Sequence, residues 1–234
     1  MLETASYFAP GMALAYGHSV DTDPHQHALW QVCLPSAASV LNGQPLKYGT
    51  VIKPDEIHQL CMPSGWVMLA EPESLLGEAI SQLPTRLPFA EPDARLNILL
   101  EQLGEFPELV HAMQNNPYLC QDDRLARLLA RLDQCFGVDC LKPDAWRAKE
   151  VAEWLAMSES RFLHLVKAEL GIAWRPYLLW RRLICAIQTI RRGKTATEAA
   201  YLAGFSDSSH LSRTIKATFG MTGKQLLNSF RDSG

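Results

Sequence analysis

The sequence lacks the features that mark membrane-spanning and secreted proteins. No apolar run approaches the roughly 20 residues that a membrane-spanning helix needs. The first ten residues, MLETASYFAP, have neither the basic start nor the apolar core of a signal peptide, so we expect a cytoplasmic protein with no membrane partner. The six cysteines are scattered without close pairs, and we expect all of them to be reduced thiols.

Signatures of catalysis are also scarce, and the small net charge of −3 hides an uneven distribution. The sequence contains no Ser/His/Asp triad pattern and no Gly-rich phosphate loop. Residues 142–234 carry 15 Lys and Arg against 8 Asp and Glu, a net charge of +7, whereas residues 1–141 have a net charge of −10. A basic half joined to an acidic half is typical of a domain that binds a polyanion, such as nucleic acid, attached to a second domain that does not bind it.

The segment AAYLAGFSDSSHLSRTIKATFG, residues 199–220, has the pattern of a helix-turn-helix. Gly204 can take a positive φ after a short first helix, and Ser206 or Asp207 would cap the second helix. Three apolar residues of that second helix share one face, which predicts burial: Leu211, Ile215 and Phe219. Another stripe is polar and suits the DNA major groove, and with the adjacent Ser208 it consists of Ser209, Ser212, Arg213 and Lys216.

The same pattern occurs earlier, in EVAEWLAMSESRFLHLVKAELG, residues 150–171. Ala156 stands at the turn, and after it the register is one residue shorter, so that Phe162 corresponds to Leu211. The exposed stripe of this module, with the neighbouring Arg161, consists of Ser160, Leu163, His164 and Lys167. Two copies in register are a much stronger signal of a helix-turn-helix protein than one copy.

These two segments resemble the DNA-binding domain of AraC/XylS-type transcription regulators, and the resemblance covers roughly the last hundred residues. It implies an all-α domain that binds double-stranded DNA, a homodimer, and an activator that contacts RNA polymerase. The sequence departs from the family at Ala156, where the first turn usually has Gly, and at Gly223, where the family usually has Pro. Leu163 also puts an apolar side chain at a position expected to face DNA.

The N-terminal part favours short strands between Pro, Gly and Asp clusters, with a hairpin turn at Asn42-Gly43. The predicted strands are Met12–Tyr16, Ala28–Leu34, Ser39–Leu41, Thr50–Lys53, Ile57–Met62 and Trp66–Glu71. The spacing of the histidines within PHQHALWQVCL and GTVIKPDEIH is similar to the two motifs of cupin β-barrels. That resemblance implies a small cupin-like barrel, the type of sensor domain found in AraC-type regulators.

The cupin resemblance also implies a set of metal ligands, for which His25, His27 and His58 are the matching residues. An imidazole trio could hold a divalent transition metal. Gln31 stands where cupins have a ligating Glu, and a neutral amide is a weaker ligand, although Cys33 or Cys61 could substitute for it. The alternative is that the histidines only retain the barrel pattern and that the interior takes a small-molecule effector.

From residue 73 the pattern becomes helical. Ser74–Leu83, Asp93–Gly104 and Phe106–Asn115 are predicted helices, and Asp93–Gly104 either forms the homodimer contact or packs on its own barrel. Further helices are predicted from Asp122 and over Trp174–Arg191. The remaining helical signals are a capping box at Thr195 and Glu198 and a last helix over Thr222–Phe230.

We therefore predict an α+β protein with three parts. A small N-terminal cupin-like β-barrel occupies residues 1–72, a helical segment that could mediate dimerisation occupies 73–117, and an all-α domain with two helix-turn-helix modules occupies 118–234. The predicted function is DNA-binding transcription regulation under control of a small molecule or metal. The alternatives are a cupin-type metal-dependent enzyme, a metal sensor, or a regulator controlled only by its abundance or by a protein partner.

Overall fold

The computed structural model describes residues 6–87, 119–134 and 146–230. The chain divides into two compact units. Among the described residues, the first unit contains 6–87 together with 215–230, and the second contains 119–134 together with 146–214. The second unit begins close to the predicted start of the DNA-binding domain at residue 118, but the predicted division into three parts stays a prediction.

The first unit is built on an antiparallel sheet of eight strands. These are β1 Ser6–Ala9, β2 Met12–Asp21, β3 Trp30–Pro35, β4 Ser39–Leu41, β5 Gln44–Leu46, β6 Gly49–Ile52, β7 Leu60–Ala70 and β8 Arg86–Leu87. Strand pairing follows the order β1-β2-β7-β3-β6-β8, and β4 pairs with both β5 and β7. The longest strand, β7, is therefore central, because it pairs with β2, β3 and β4.

The helix α1, Leu75–Ser81, packs into the apolar core of this sheet. Its N-cap is Ser74, whose hydroxyl oxygen accepts the N–H of Gly77 at 2.9 Å. Leu76 and Ile80 lie one turn apart and are fully buried. The other buried members of this core are Ala9, Met12, Leu14, Val32, Leu34, Val51, Met68, Ala70 and Leu87.

The strand predictions are confirmed in large part. The Asn42-Gly43 hairpin is present, with φ of 50° and 74° at the two turn residues, as a two-residue turn matched to the strand twist requires. The two strands predicted around residues 57–62 and 66–71 form one strand, β7, because Gly65 continues the ladder opposite Gly17. Strands β1, β5 and β8 were not predicted, since each is too short to show a two-residue period.

The second unit is helical. Its helices are α2 Asp123–Asp133, α3 Ala148–Trp154, α4 Glu159–Leu170, α5 Trp174–Arg191 and α6 Ala196–Leu202, followed by α7 Ser208–Phe219, which continues into the first unit. The helix α2 is capped by Asp122, whose carboxylate accepts the N–H of Arg124 at 2.9 Å. Its leucines form one buried stripe, which consists of Leu125, Leu128, Leu129 and Leu132.

The helix α5 is the most deeply buried element of the second unit, and it holds α2 through a buried cation. Arg181 is 2% exposed, forms an ion pair with Asp133 of α2, and donates to the Tyr177 hydroxyl at 2.9 Å. Trp174, at the start of α5, packs edge-on against Phe162 of α4 with ring centroids 5.1 Å apart. The predicted helix over residues 174–191 is confirmed at both ends.

The last helix, α8 Gly223–Ser229, packs against β2 of the first unit. Thr222 and Gln225 form a capping box at its start, as their spacing in the sequence allows. The Ser229 hydroxyl donates to the carbonyl of Ser19 at 3.3 Å. The end of the chain that follows the second helix-turn-helix is therefore attached to the sheet.

Other expectations have mixed outcomes. The predicted helices over residues 93–104 and 106–115 lie outside the described residues. Cys33, Cys61 and Cys120 are free thiols, but Cys185 is disulfide-bonded, so the prediction that all cysteines are reduced is wrong for this residue. Within the described ranges, no helix has both the length and the apolar character needed to cross a membrane.

Candidate nucleic-acid interface and histidine cluster

The turn of the second helix-turn-helix has the geometry that its sequence predicts. Thr195 and Glu198 cap α6 reciprocally, and Gly204 takes a φ of 78° between α6 and α7. Asp207 caps α7, since its carboxylate accepts the N–H of His210 at 2.7 Å. That hydrogen bond is the main reason why the pKa of Asp207 is lowered. The carboxylate therefore stays ionised at the positive end of the α7 dipole.

The two predicted faces of α7 are confirmed as a buried face and an exposed face. Leu211, Ile215 and Phe219 are buried, with at most 9% exposure. The residues predicted to contact DNA lie on the exposed face, which consists of Ser209, Ser212, Arg213 and Lys216, with Ser208 half-buried beside it. We call these five residues the second recognition face.

The first helix-turn-helix has the same plan with a less favourable turn. Ala156 adopts a φ of 54°, a left-handed conformation that is costly for a residue with a Cβ. Ser158 caps α4 and accepts the N–H of Arg161 at 3.3 Å, and Gly171 ends the helix with a φ of 64°. The backbone at Ala156 is therefore left-handed, as it is at Gly204 in the second module, but at Ala156 this conformation is strained.

The predicted contact residues of α4 are all exposed, while Phe162 and Val166 are fully buried on the other face. The exposed set, which we call the first recognition face, consists of Ser160, Arg161, Leu163, His164 and Lys167. Leu163 is 40% exposed although it is apolar. Lys167 donates to the carbonyl of Gly171 at 2.5 Å, so it caps its own helix in the absence of DNA.

The three predicted metal ligands lie together in the first unit, in the two loops that precede β3 and β7. Every pair of the ligand atoms of His25, His27 and His58 lies within 4.8 Å. His25 and His58 form an isolated antiparallel bridge, with N–H to carbonyl distances of 3.0 and 2.9 Å. His25, His27 and His58 are 8%, 7% and 1% exposed, respectively. We call them the histidine cluster.

Each imidazole of the histidine cluster uses one ring nitrogen to bond an oxygen. Nδ1 of His25 lies 2.9 Å from the carbonyl of Asp23, and Nδ1 of His58 lies 2.8 Å from the carbonyl of Glu56. Nε2 of His27 lies 2.9 Å from Oε1 of Gln31. Since these oxygens only accept, each of the three nitrogens carries the proton and the other nitrogen has a free lone pair.

Burial keeps the histidine cluster uncharged. It lowers the pKa of His25 and of His27 to about 4 against the weaker opposing effect of their hydrogen bonds, and it lowers the pKa of His58 as well. Neutral imidazoles are the form that ligates metal.

Cysteine does not complete the ligand set. Burial raises the pKa of Cys33 to about 12, and its sulfur accepts a hydrogen bond from the Gln31 amide at 3.1 Å. The group of metal-capable side chains found among the described residues contains the three histidines and neither Cys33 nor Cys61. Gln31 therefore orients His27 and does not stand free as a fourth ligand.

One contact near the histidine cluster has no signal in the sequence, because it joins residues almost 200 positions apart. Asp23, two residues before His25, donates its N–H to the carbonyl of Gly220 at 2.8 Å. Its carboxylate lies 3.2 Å from Nζ of Lys216, a member of the second recognition face. The last turn of α7 and the histidine cluster thus share one loop of the first unit.

Comparison with known sequences supports the helix-turn-helix assignment. A family model described as "Helix-turn-helix domain" matches residues 151–229, which include both recognition faces. The chain is 27% identical over 154 residues to the HTH-type transcriptional activator RhaS of Escherichia fergusonii. That match covers 64% of this chain and 53% of the relative, so the chain spans about half the length of the curated relative that it matches.

Comparison with solved structures supports the whole architecture. The structure of ToxT from Vibrio cholerae O395 has a TM-score of 0.54 at 10% identity and covers 94% of this chain and 97% of that one. A second ToxT structure, bound to (E)-4-(8-methylnaphthalen-1-yl)but-3-enoic acid, has a TM-score of 0.51 at 10% identity and covers 93% and 98%. At this identity the likeness establishes the fold alone, an N-terminal β unit followed by helices. In sequence, the part of the chain that carries the two modules is similar to helix-turn-helix transcription regulators.

Proposed function

We propose that the protein regulates transcription by binding double-stranded DNA in a sequence-specific manner, with α4 and α7 as its recognition helices. The observation that carries this proposal is the exposure of both recognition faces on helices whose opposite faces are buried. An α-helix fits the width of the major groove, and two such helices can contact successive turns of one face of the duplex. The helix α5 joins the modules and, with 18 residues, is about 27 Å long.

The side chains divide into those that attract phosphate and those that discriminate bases. Lys167, Lys216 and Arg161 supply sequence-independent attraction, which falls steeply with salt. Arg213 can pair bidentately with guanine, a contact worth about 1–3 kcal/mol of discrimination. The remaining contacts discriminate less between bases. Leu163 can pack on a thymine methyl group. Hydroxyl and imidazole groups can hydrogen-bond to several different bases, and these come from Ser160, His164, Ser208, Ser209 and Ser212.

The first unit is proposed to control this activity by binding an effector. The likeness to ToxT, which has been solved with a small carboxylic acid bound, supports a small-molecule effector, and the histidine cluster supports a metal. RhaS is named as a transcriptional activator, which supports activation as the mode of regulation. Contact with RNA polymerase is part of the same proposal. A homodimer through residues 93–104 and a cytoplasmic location remain part of the proposal.

A cupin-type metal-dependent enzyme is the second candidate, and the histidine cluster is the observation that favours it. The helix-turn-helix match over residues 151–229 favours a regulator instead, because an enzyme would not require two exposed recognition faces. We therefore propose a binding role for the cluster, without catalysis.

Selection of bound sequences from random duplex DNA tests the proposal. We expect an enriched site with two half-sites centred about one helical turn apart. Arg213→Ala should weaken binding to the enriched site and reduce its preference over random DNA, whereas Lys216→Ala should weaken binding to both equally. Failure to enrich any sequence at low ionic strength would reject the proposal, and equal effects of the two variants would reject the division of roles.

A further inference from the structure

We propose that His25, His27 and His58 form a site for one divalent transition-metal ion, and that its occupancy is transmitted through Asp23 to the last turn of α7. The metal site itself rests only on the geometry of the first unit. The effect on DNA rests on the proposed function as well.

The first argument is the state of the ring nitrogens. Nδ1 of His27 and Nε2 of His58 are buried without a hydrogen-bond partner. Both side chains are more than nine-tenths buried, and an unpaired polar atom in such a place is costly. The lone pairs of these two nitrogens, with that of His25 Nε2, point to a ligand that accepts electron pairs. A metal cation satisfies all three at once.

The second argument is the support behind each imidazole. Metal-ligating histidines usually donate their other N–H to a carbonyl or a carboxylate, which fixes the ring orientation. The carbonyls of Asp23 and Glu56 and the amide oxygen of Gln31 have this role here. The ligand atoms lie within 4.8 Å of one another, against about 3.3 Å in a tetrahedral site with metal–nitrogen bonds of about 2.0–2.1 Å. The rings therefore need to approach by at most about 1.5 Å, and a fourth position stays open for water or an effector.

The third argument concerns the loop that carries His25. A Cβ at Gly220 would lie 2.3 Å from the carbonyl oxygen of Asp23 and 2.7 Å from Nδ1 of His25, so the end of α7 is in direct contact with this loop. The Asp23 carbonyl that orients His25 belongs to the residue whose carboxylate pairs with Lys216. Metal binding would fix His25 and with it the arrangement in which Asp23 holds Lys216. We therefore expect the metal to lower DNA affinity, because Asp23 then competes with phosphate for the lysine.

Metal binding is tested first, on the full chain after chelator treatment, by titration calorimetry with Zn²⁺ and by the visible absorption of bound Co²⁺. We expect one equivalent per chain in the wild type. The matched control is His18→Gln, since His18 is exposed on β2 and is outside the cluster, and it should bind like the wild type. His27→Gln should lose more affinity than the 10- to 100-fold typical of losing an outer-shell partner. Absence of stoichiometric binding in the wild type, or unchanged affinity in folded His27→Gln, would overturn the site.

A second pair of variants keeps the test decisive if ligand substitutions impair folding. Gln31→Leu removes the acceptor for His27 and should weaken metal binding about 10- to 100-fold. Gln31→Glu supplies a carboxylate in its place and should strengthen it by about tenfold. Equal affinities of the two variants would contradict the assigned role of residue 31.

The link to DNA is tested by measuring affinity for the enriched duplex with and without saturating Zn²⁺. We expect about a two- to fivefold lower affinity with the metal, since an exposed ion pair is a weak competitor. Asp23→Asn should remove most of that difference. A protein that binds metal and DNA independently would refute the link alone, one that binds DNA but no metal would refute the site alone, and one that binds metal but no DNA would refute the proposed function.

Discussion

The two helix-turn-helix modules share one plan but differ in how firmly each recognition helix is held. In the first, the turn contains the strained Ala156, and Arg147 at the N-cap of α3 makes no side-chain cap. In the second, the turn contains Gly204, and α6 begins with a full capping box. Caps contribute about 0.5–2 kcal/mol each, so local sequence favours the second module over the first.

The ends of the two recognition helices differ in a second way. Gly171 and Gly220 both end their helices with nearly the same φ, 64° and 65°. Gly171 is exposed, whereas Gly220 is buried against the loop of Asp23 and His25. The two helix ends therefore differ in their surroundings, because only Gly220 is packed against a loop that is distant in sequence. The end of the first recognition helix at Gly171 is exposed, so its conformation depends on the local sequence.

The largest expected effect separates these two helix ends. Gly171→Ala should cost only the left-handed strain, about 1–2 kcal/mol. Gly220→Ala should cost about 2–5 kcal/mol, because the added Cβ also collides with the Asp23 carbonyl and forces the loop to move. Denaturant unfolding followed by circular dichroism measures both. Similar losses in the two variants would mean that the contact of Gly220 with the loop of Asp23 is not tight.

The next effect concerns base discrimination at corresponding positions. Arg213 of the second module corresponds to His164 of the first, and both are exposed. Arg213→Ala should reduce the preference for the enriched site over a point-substituted site by about 1–3 kcal/mol. His164→Ala should reduce it by less, since one imidazole makes no bidentate pair. Competition binding on a panel of single-base variants checks this, and a larger loss for His164→Ala would reverse the ranking of the modules.

The local parts of this comparison could be predicted from sequence, and the long-range parts could not. Thr195 and Gly204 act on residues within four positions, so cap and turn chemistry identified them correctly. The cap of α7 was narrowed to Ser206 or Asp207, and the structure shows that it is Asp207. The cupin-like spacing of His25 and His27 also indicated the cluster, and the structure places both residues in the loop before β3.

By contrast, the contact of Asp23 with Lys216 and Gly220 depends on how the chain returns to the sheet. No periodicity or motif encodes a return of that kind. The helix α8 shows the same limit, because a last helix over Thr222–Phe230 was predicted but its packing against β2 was not. The hydrogen bond between Gln31 and His27 could not be predicted from sequence either, because the cupin resemblance put residue 31 at the position of a metal ligand.

A smaller effect tests the two turns directly. Gly204→Ala should destabilise by about 1–2 kcal/mol, because Ala would occupy a left-handed conformation and lie 3.3 Å from the Arg182 side chain. Ala156→Gly should stabilise by up to about 1 kcal/mol, since relief of the same strain is partly offset by the entropy of glycine. Unfolding midpoints of the two variants measure the difference. Destabilisation by Ala156→Gly would show that the first turn is not strained.

The smallest effect concerns the corresponding lysines. Lys167 bonds its own helix end, and Lys216 pairs with Asp23, so each has to leave a partner before it can contact phosphate. Both interactions are exposed and therefore weak, and neither should prevent the exchange. Lys167→Ala and Lys216→Ala should each reduce the slope of log affinity against log salt by about one, as measured by fluorescence anisotropy between low and moderate salt. The matched control is Lys224→Ala, at an exposed lysine of α8 outside both recognition faces, which should leave the slope unchanged. If Lys216→Ala alone leaves the slope unchanged, the lysine stays with Asp23 when DNA is bound, and the two recognition faces contact the duplex unequally.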